Sequence, residues 1–286
     1  AKEESLAVLR ELAVQKKKGQ VLIAAGCLTQ RYGVEVARQV PGIDGILGTR
    51  RWMDIVDLVL ELRDGSHPQP LYHLPDSPTV GADEHGALRA SIQGGSAYLK
   101  IADGCRRPCA FCAIPGIRGR YRSRPVDRLV AEAERLLDGG FRELDLISQD
   151  VMAYGCDRHD DASLVELLRA LGRLGGDFWV RLLYGYPTGV TRELLDVMGE
   201  IPQVCHYLDV PIQHRSPTVL RRMRRVETID AVRDMVGLAR EILPDIALRT
   251  TCLVGFPGET DAHFEALLAF VTEARFDHVG AFAFSP

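Results

Sequence analysis

Three cysteines stand close together at a C-x3-C-x2-C spacing: Cys105, Cys109 and Cys112. Thiolates are the usual ligands of iron–sulfur clusters, and a loop can bring three of them to one cluster. Three ligands leave one iron of a four-iron cube open to another molecule. A closed structural zinc site needs a fourth protein ligand, and no His or Cys follows close behind Cys112. The spacing therefore predicts an iron–sulfur cluster with one open iron.

Other roles for these thiols have weaker support. A zinc-binding interaction module, completed by a remote ligand, stays open as an alternative of a different class. Disulfide bonds are disfavoured, because seven cysteines is an odd number and the chain shows no secretory segment. Buried cysteines often pack in a core as small apolar side chains. Three cysteines within eight residues, beside two arginines and a proline, do not fit that role.

The composition is that of an ordinary globular protein. Its 286 residues are 46% hydrophobic and 26% charged, enough to bury a large core in one or two domains. No apolar run approaches the roughly 18 residues of a membrane helix, so we expect no membrane association. The formal net charge of −4 argues against a chain that coats nucleic acid. Reduced thiols indicate a reducing compartment, and we expect a cytoplasmic protein.

The elements before the cysteines predict a small α/β domain over residues 1–65. Apolar residues recur at helical spacing over 3–15, and the apolar run 21–25 predicts a parallel strand. Cys27 follows that strand closely, at the edge where open parallel sheets place ligands. Residues 66–95 are rich in Pro, Gly and polar residues, which predicts a linker to a second domain over 96–286.

Strands and helices alternate about six times after this linker. The predicted strands cover 97–102, 144–148, 179–183, 206–210, 247–254 and 279–284. No hairpin pattern separates them, so the sequence predicts a parallel sheet with helices outside. Periodicity alone leaves two folds open, a doubly wound sheet and an incomplete barrel. In either fold, ligands bind at the carboxyl ends of the strands.

Polar or glycine-containing loops follow several of these strands. They offer Ser148, Gln149, Asp150, Gln213, His214, Arg249, Val254 and Gly255 as candidates. Glycine allows close approach of a ligand to the backbone, and Arg249 can pair with a carboxylate. Each loop also has a plainer interpretation as a polar or tight turn, and His214 has one as a hydrogen-bonded structural residue.

Arginines occupy every second position in the segment that follows the cysteine loop: Arg118, Arg120, Arg122 and Arg124. In an extended segment these side chains face one way. We therefore expect a basic strip, which is either a solvated rim or a guide for an anionic group or a macromolecular partner.

These motifs together resemble those of a known family. The cysteine spacing, with Phe111 before the last cysteine, is similar to the signature of the radical S-adenosylmethionine (SAM) superfamily. Within that superfamily the chain looks like the methylthiotransferases. The matching segments run in order along almost the whole chain: 26–32, 105–112, 114–125, 147–150, 181–184, 209–214 and 249–260.

The resemblance implies an α/β fold: a partial (β/α)6, TIM-like radical SAM barrel preceded by a truncated α/β methylthiotransferase N-terminal domain. It also implies two 4Fe–4S clusters in the intact enzyme. Cys105, Cys109 and Cys112 would hold the cluster that binds SAM and splits it to give a hydrogen-abstracting radical. Cys27 matches one ligand of an auxiliary cluster that delivers sulfur. The other two ligands, and a C-terminal β-domain, belong to parts of the family's chain outside this sequence, so we expect impaired sulfur insertion.

With SAM as the ligand, the expected cofactor contacts are Phe111, Ser148, Gln149, Asp150, Gln213, Arg249, Val254 and Gly255. Ser148 stands where the family usually has glycine, so the match there is approximate. Three segments are most similar to the members that modify an aspartate of small-subunit ribosomal protein S-twelve: Ser-Arg-Pro at 123–125, Pro-Ile-Gln-His at 211–214 and Leu-Arg-Thr-Thr at 248–251. Members that modify tRNA adenosine usually have Gln-Ser in place of Gln213-His214. The expected partner is that protein or the small ribosomal subunit, with tRNA as the alternative.

Overall fold

The computed structural model describes residues 2–65, 70–74 and 94–285, which divide into two units. The first unit contains residues 2–65, 70–74 and 113–120, and the second contains 94–112 and 121–285. Most of the predicted linker, 66–95, lies outside the described residues. The predicted boundary between domains therefore stays a prediction.

The first unit is built on a small parallel sheet. Its strands are β1 (Ile23–Ala25), β2 (Gly45–Leu47) and β3 (Leu71–His73), hydrogen-bonded in that order. Its helices are α1 (Lys2–Gln15), α2 (Cys27–Gln39), α3 (Ile55–Asp64) and the short α4 (Ile114–Arg118), with a 3-10 helix over Thr49–Asp54. The prediction that all of 66–95 is linker was wrong at β3. A three-residue strand between breakers is too short to show a period of its own.

Apolar residues cover this sheet with two separate clusters. One cluster joins α1 and α2 to the sheet through Leu6, Val36 and Ile46. The other joins α3 to it through Leu47, Leu58 and Leu62. This is the arrangement predicted from the apolar run before Cys27, since a parallel strand covered on both faces has no polar alternation.

The second unit contains a six-stranded parallel sheet. Its strands are β4 (Ser96–Lys100), β7 (Glu143–Ile147), β8 (Trp179–Leu182), β9 (Val204–Asp209), β10 (Ala247–Val254) and β11 (His278–Ala283). Their order in the sheet is their order in the chain. A doubly wound sheet reverses direction at a switch point, and this sheet does not. The incomplete barrel is therefore the correct one of the two predicted folds.

Helices connect the successive strands of this sheet. They are α5 (Val126–Asp138), α6 (Leu164–Gly172), α7 (Arg192–Glu200), α8 (Pro217–Arg222), α9 (Ile229–Ile242) and α10 (Asp261–Ala274). Right-handed connections of this kind place every helix on the same face of the sheet. That face is apolar, and Leu99, Leu144, Leu182 and Leu248 are at most 2% exposed within the main core.

The opposite face of the sheet is polar. Arg181 on β8 pairs with Glu143 on β7 and lies over the ring of Tyr207 on β9. Arg249 on β10 pairs with Asp209 at the end of β9. Alternation along a strand sends successive side chains to opposite faces, which explains why charged residues alternate here with the buried leucines.

Two short strands form an antiparallel pair that the sequence did not predict. Strand β5 (Ala102–Asp103) pairs with β6 (Arg122–Ser123). Pairs of two residues have no detectable alternation. None of the helices in the described part of the chain is long and apolar enough to span a membrane.

Candidate functional site

The three cysteines lie on a loop that follows β5 at the carboxyl end of the sheet. Asp103 Oδ1 accepts a hydrogen bond from the N–H of Gly104 at 2.9 Å, and Gly104 has a φ of 78°, which favours glycine. Beyond it, the N–H of Cys112 donates to the carbonyl of Cys109 at 3.1 Å. Cys105, Cys109 and Cys112 are partly exposed and form no disulfide. Within the described ranges, no three His, Cys, Asp or Glu side chains converge as ligands of a single metal ion.

Hydrogen-bond donors and positive charges surround two of the thiols. Burial raises the pKa of Cys105, and a hydrogen bond from the N–H of Arg107, at 3.4 Å from Sγ, opposes this rise. Burial also raises the pKa of Cys109, and the charge and hydrogen bond of Arg225 oppose that rise. These donors favour thiolate over thiol. Burial is still the largest effect, so the pKa values of both thiols stay raised. The position of three partly exposed thiols on one loop is what suits ligands of an iron–sulfur cluster.

The loop after β7 presents two buried oxygen atoms without partners. Gln149 Oε1 and Asp150 Oδ1 are buried and accept no hydrogen bond from a described residue. The other oxygen of Asp150 accepts from Arg107 Nε at 2.9 Å. Buried acceptors are normally satisfied, so these two suit a ligand that brings N–H donors. The ammonium group of SAM is such a ligand, and the residues present fit it.

Tyr121 holds this loop in shape. Its hydroxyl donates to the carbonyl of Asp150 at 2.9 Å and lies 3.4 Å from Ser148 Oγ, which accepts from the N–H of Asp150 at 3.2 Å. Burial raises the pKa of Tyr121, so the phenol keeps its proton at neutral pH. Ser148 is therefore buried beneath the loop as a hydrogen-bond acceptor, a role that its hydroxyl allows and that glycine would not provide.

The loops after β9 and β10 contain the other predicted contacts. Gln213 has a φ of 65°, unusual for a residue with a side chain, and its N–H and C=O bridge to Thr251 and Leu253 at 2.9 and 2.7 Å. Gly255, after Val254, has a φ of 72° and open space where a Cβ would stand. The loop after β10 is thus open to close approach by a ligand.

Arg249 pairs with a carboxylate of the protein itself. Its Nη1 donates to Asp209 Oδ2 at 2.6 Å, and Asp209 Oδ1 is a further buried oxygen without a partner. Burial raises the pKa of Asp209, and Arg249 opposes the rise. Arg249 therefore already pairs with a carboxylate of the sheet, and its role as a cofactor contact stays a prediction.

His214 is a buried structural residue, as the plainer interpretation proposed. Its Nδ1 accepts from the N–H of Ser216 at 2.9 Å, and its Nε2 lies 3.3 Å from Glu259 Oε1 without the alignment of a hydrogen bond. The side chain is 0% exposed, and burial lowers its pKa.

Phe111 packs into a small apolar cluster. Its ring lies edge-on to Phe256 at 6.5 Å between centroids, beside Val219, Leu220 and Met223. Ala110 next to it donates from its N–H to the carbonyl of Met223 at 2.9 Å. In this structure Phe111 anchors the cysteine loop through packing.

Cys27 lies where the sequence predicted a ligand. It is exposed and begins α2, directly after β1 and Gly26. Thr29 donates from its hydroxyl to the carbonyls of Gly26 and Leu47, which joins this turn to the end of β2. Its role as a cluster ligand stays a prediction.

The expectation of a basic strip over 118–124 was wrong. Arg118 ends α4, whereas Arg122 lies in β6, so the segment is not extended throughout. Arg124 is only 5% exposed, donating to the carbonyl of Lys100 and to Glu132. Sequence spacing could not reveal these partners.

Sequence reasoning missed a network beside the cysteine loop. The guanidinium carbons of Arg107 and Arg225 lie 3.8 and 4.3 Å from the ring centroid of Tyr186. Glu227 accepts hydrogen bonds from the Tyr186 hydroxyl and from Arg225. In the sequence, the position of Arg107 between Cys105 and Cys109 was the one indication of this network.

Fold and site together define an incomplete, singly wound parallel barrel with a three-cysteine loop at the carboxyl ends of its strands. The model of the Radical SAM superfamily matches residues 99–271, and the chain belongs to this superfamily. Membership assigns it a 4Fe–4S cluster and SAM as cofactors, as predicted, and favours them over the zinc-binding module.

Two relatives and one solved structure are similar to this chain over nearly its whole length. Ribosomal protein uS12 methylthiotransferase RimO of Geobacter sulfurreducens is 45% identical over 287 residues, and that of Syntrophus aciditrophicus is 44% identical over 288. Each alignment covers 100% of this chain and 64% of the relative, so the chain spans less than two thirds of their length. The radical SAM methyltransferase TsrM of Kitasatospora setae shares the fold, with a TM-score of 0.74 at 16% identity over 99% of this chain and 58% of that one.

Proposed function

We propose that this chain is the SAM-binding part of a methylthiotransferase that modifies the β-carbon of an aspartate in ribosomal protein uS12. The observation that supports it most directly is the 45% identity to a uS12 methylthiotransferase across the whole chain. The C-x3-C-x2-C loop at the carboxyl ends of the barrel strands supports it independently. We place the enzyme in the cytoplasm, where its ribosomal substrate and reduced thiols are found.

In this proposal, Cys105, Cys109 and Cys112 would hold a 4Fe–4S cluster that also binds SAM. When bound, the cluster supplies the electron that splits SAM into methionine and a hydrogen-abstracting radical. The protein contributes ligands, orientation and exclusion of water. The N–H of Arg107 beside Cys105 and the charge of Arg225 at Cys109 would offset part of the burial that disfavours the thiolates.

The loops after the strands would orient SAM. Asp150 Oδ1 and Gln149 Oε1 are buried acceptors suited to its ammonium group. Ser148, through its hydroxyl, fixes the backbone of this loop. Val254 and Gly255 would border the adenosine, and Gln213 and Arg249 would line the site on the side of β9 and β10. Phe111 would act indirectly, by anchoring the cysteine loop.

Cys27 would contribute one ligand of the auxiliary cluster that delivers sulfur, with two ligands from segments outside this sequence. Its exposure at the start of α2, beside the carboxyl end of β1, supports this assignment. The parts of the relatives that this chain does not span would complete the sulfur-inserting machinery and the substrate interface. The electron donor and the source of sulfur are open.

Anaerobic reconstitution of this chain with iron and sulfide tests the SAM-binding half. We expect about four irons per chain in this fragment's SAM site, a visible charge-transfer band and SAM cleavage after reduction. Cys109→Ala is expected to lose all three, whereas the matched control Cys156→Ala, which removes an exposed thiol, retains them. Full activity of Cys109→Ala would refute the ligand assignment.

The substrate is tested with the full-length protein. Reconstituted enzyme is incubated with uS12, with assembled small subunits and with tRNA, and the products are analysed for the methylthio mass increment. We expect it on the aspartate of uS12. Modification of tRNA alone would refute the proposed substrate and leave the tRNA-modifying alternative.

A further inference from the structure

A buried network of four side chains lies beside the cysteine loop; we name it the Arg–Tyr network. It consists of Arg107, Tyr186, Arg225 and Glu227, and the last three are at most 8% exposed. Both guanidinium groups lie over the Tyr186 ring, where a cation is attracted to the π-electrons. Glu227 fixes the other end, because it accepts from both the Tyr186 hydroxyl and Arg225 Nε.

The backbone turn after α8 places Arg225 against the cysteine loop. Met223 ends the helix, and Arg224 has a φ of 55°, which turns the chain sharply. The carbonyl of Met223 accepts from the N–H of Ala110, between two of the cysteines, at 2.9 Å. Arg225 Nη2 donates to the carbonyl of Pro211 at 2.8 Å, so the guanidinium is fixed from several sides.

The network lies beside two of the three cysteines. Arg107 donates its N–H to Cys105 Sγ at 3.4 Å, and its side chain reaches Asp150 in the loop predicted to bind SAM. The positive charge of Arg225 acts on Cys109, where it opposes the rise that burial causes in the pKa of the thiol. At Cys109 the positive charge of Arg225 acts more strongly than the negative charge of Glu227, whereas the contact of Arg107 with Cys105 is made by its backbone N–H.

Reduction of a cluster adds one negative charge, and the potential depends on nearby charges and on hydrogen bonds to the sulfur atoms. A fixed cation at Cys109 stabilises the reduced form, and the carboxylate behind it has the opposite, weaker effect. We propose that Arg225, held by Glu227 and Tyr186, is a positioning residue that raises the reduction potential of the cluster. This inference rests on the proposed function for the presence of the cluster.

This inference is tested by removing each charge of the Arg225–Glu227 ion pair in turn. Midpoint potentials are measured by EPR-monitored redox titration of reconstituted protein, with iron and sulfide content determined in parallel. Arg225→Gln leaves Glu227 uncompensated, and we expect about a tenfold fall in the reduction equilibrium constant, which is about 59 mV for one electron. Glu227→Gln leaves the cation alone and is expected to shift the potential upward.

Two further variants separate charge from structure. The double variant Arg225→Gln/Glu227→Gln removes both charges and is expected to return towards the wild-type potential. Arg221→Gln removes an exposed arginine of α8 and is expected to change nothing. A general loss of packing would instead shift the midpoint potentials of all the variants of buried residues in the same direction.

Distinct outcomes overturn the inference and the proposed function. If wild-type protein assembles a cluster and Arg225→Gln has the same midpoint as Arg221→Gln, the inference is wrong. If Arg225→Gln fails to fold or to bind iron, Glu227→Gln decides, and an unchanged or lowered potential overturns the inference. If wild-type protein assembles no cluster at all, the proposed function fails first.

Discussion

The hydroxyl of Tyr121 is the sharpest place to test how the SAM-binding loop is held. Tyr121→Phe removes the hydrogen bond to the Asp150 carbonyl, at 2.9 Å, and the contact with Ser148. The ring itself is 5% exposed and keeps its packing. The substitution therefore changes the shape of residues 148–150 without touching a group that contacts SAM in the proposed site.

The structure sets the size of the effect. A buried hydrogen bond contributes about 1 kcal/mol, and an acceptor left without any partner costs about 1–3 kcal/mol. The Asp150 carbonyl also accepts from the N–H of Ala153 at 3.2 Å, so it keeps one partner. We therefore expect a loss of about 1 kcal/mol in the free energy of unfolding. If SAM binding has to supply this energy to order the loop, the Kd of SAM rises by about fivefold to tenfold.

Tyr154→Phe is the matched control. Tyr154 is 4% exposed, and its hydroxyl donates to the carbonyl of Arg124 at 2.7 Å. Both variants lose one buried hydroxyl hydrogen bond to a backbone carbonyl, so both should lose similar stability in urea denaturation. Only Tyr121→Phe should weaken SAM binding in anaerobic calorimetry of reconstituted protein. Equal SAM affinities in the two variants would refute the positioning role of Tyr121.

Two further predictions concern backbone strain and pH. Gly155→Ala should be at least twice as destabilising as Gly140→Ala in urea denaturation. Both glycines have positive φ, 87° and 95°, but a Cβ at 155 would stand 1.9 Å from the Ala162 carbonyl oxygen, whereas a Cβ at 140 meets nothing within 4 Å. Similar losses of stability in the two variants would contradict this close approach. Burial lowers the pKa of His214 from 6.5, so the fold favours the neutral ring, and stability present above that pH should fall as the pH drops through the lowered value. His214→Gln should make the denaturation midpoint less dependent on pH between about pH 7 and pH 5, and an unchanged dependence would show that His214 is not the titrating group.

The alternation of strands and helices was readable from the sequence, but the direction of winding was not. The apolar residues in the segments around Leu144 and Leu248 predict strands with a covered face in either fold. The choice between doubly wound sheet and barrel depends on which strands are neighbours, which periodicity does not encode. Strand β3 was missed for a different reason, because Leu71–His73 has too few residues for a pattern.

The cluster loop was predictable because its three cysteines are close in sequence. The partners that shape the site are distant in sequence: Arg107 pairs with Asp150, and Tyr121 binds the carbonyl of that same residue. Arg225 lies among several arginines of residues 221–225, and no sequence pattern distinguishes it from the others. Local spacing determines which residues share a loop, whereas folding determines which loops meet.

The charged face of the six-stranded sheet has a consequence for what can bind there. Arg181 and Arg249 each pair with an acid on a neighbouring strand, so the sheet itself balances their charges. Splitting such a pair would leave a partly buried charge without its counterion, which is costly. A ligand on this side of the sheet is therefore expected to lie across intact ion pairs rather than to break them open.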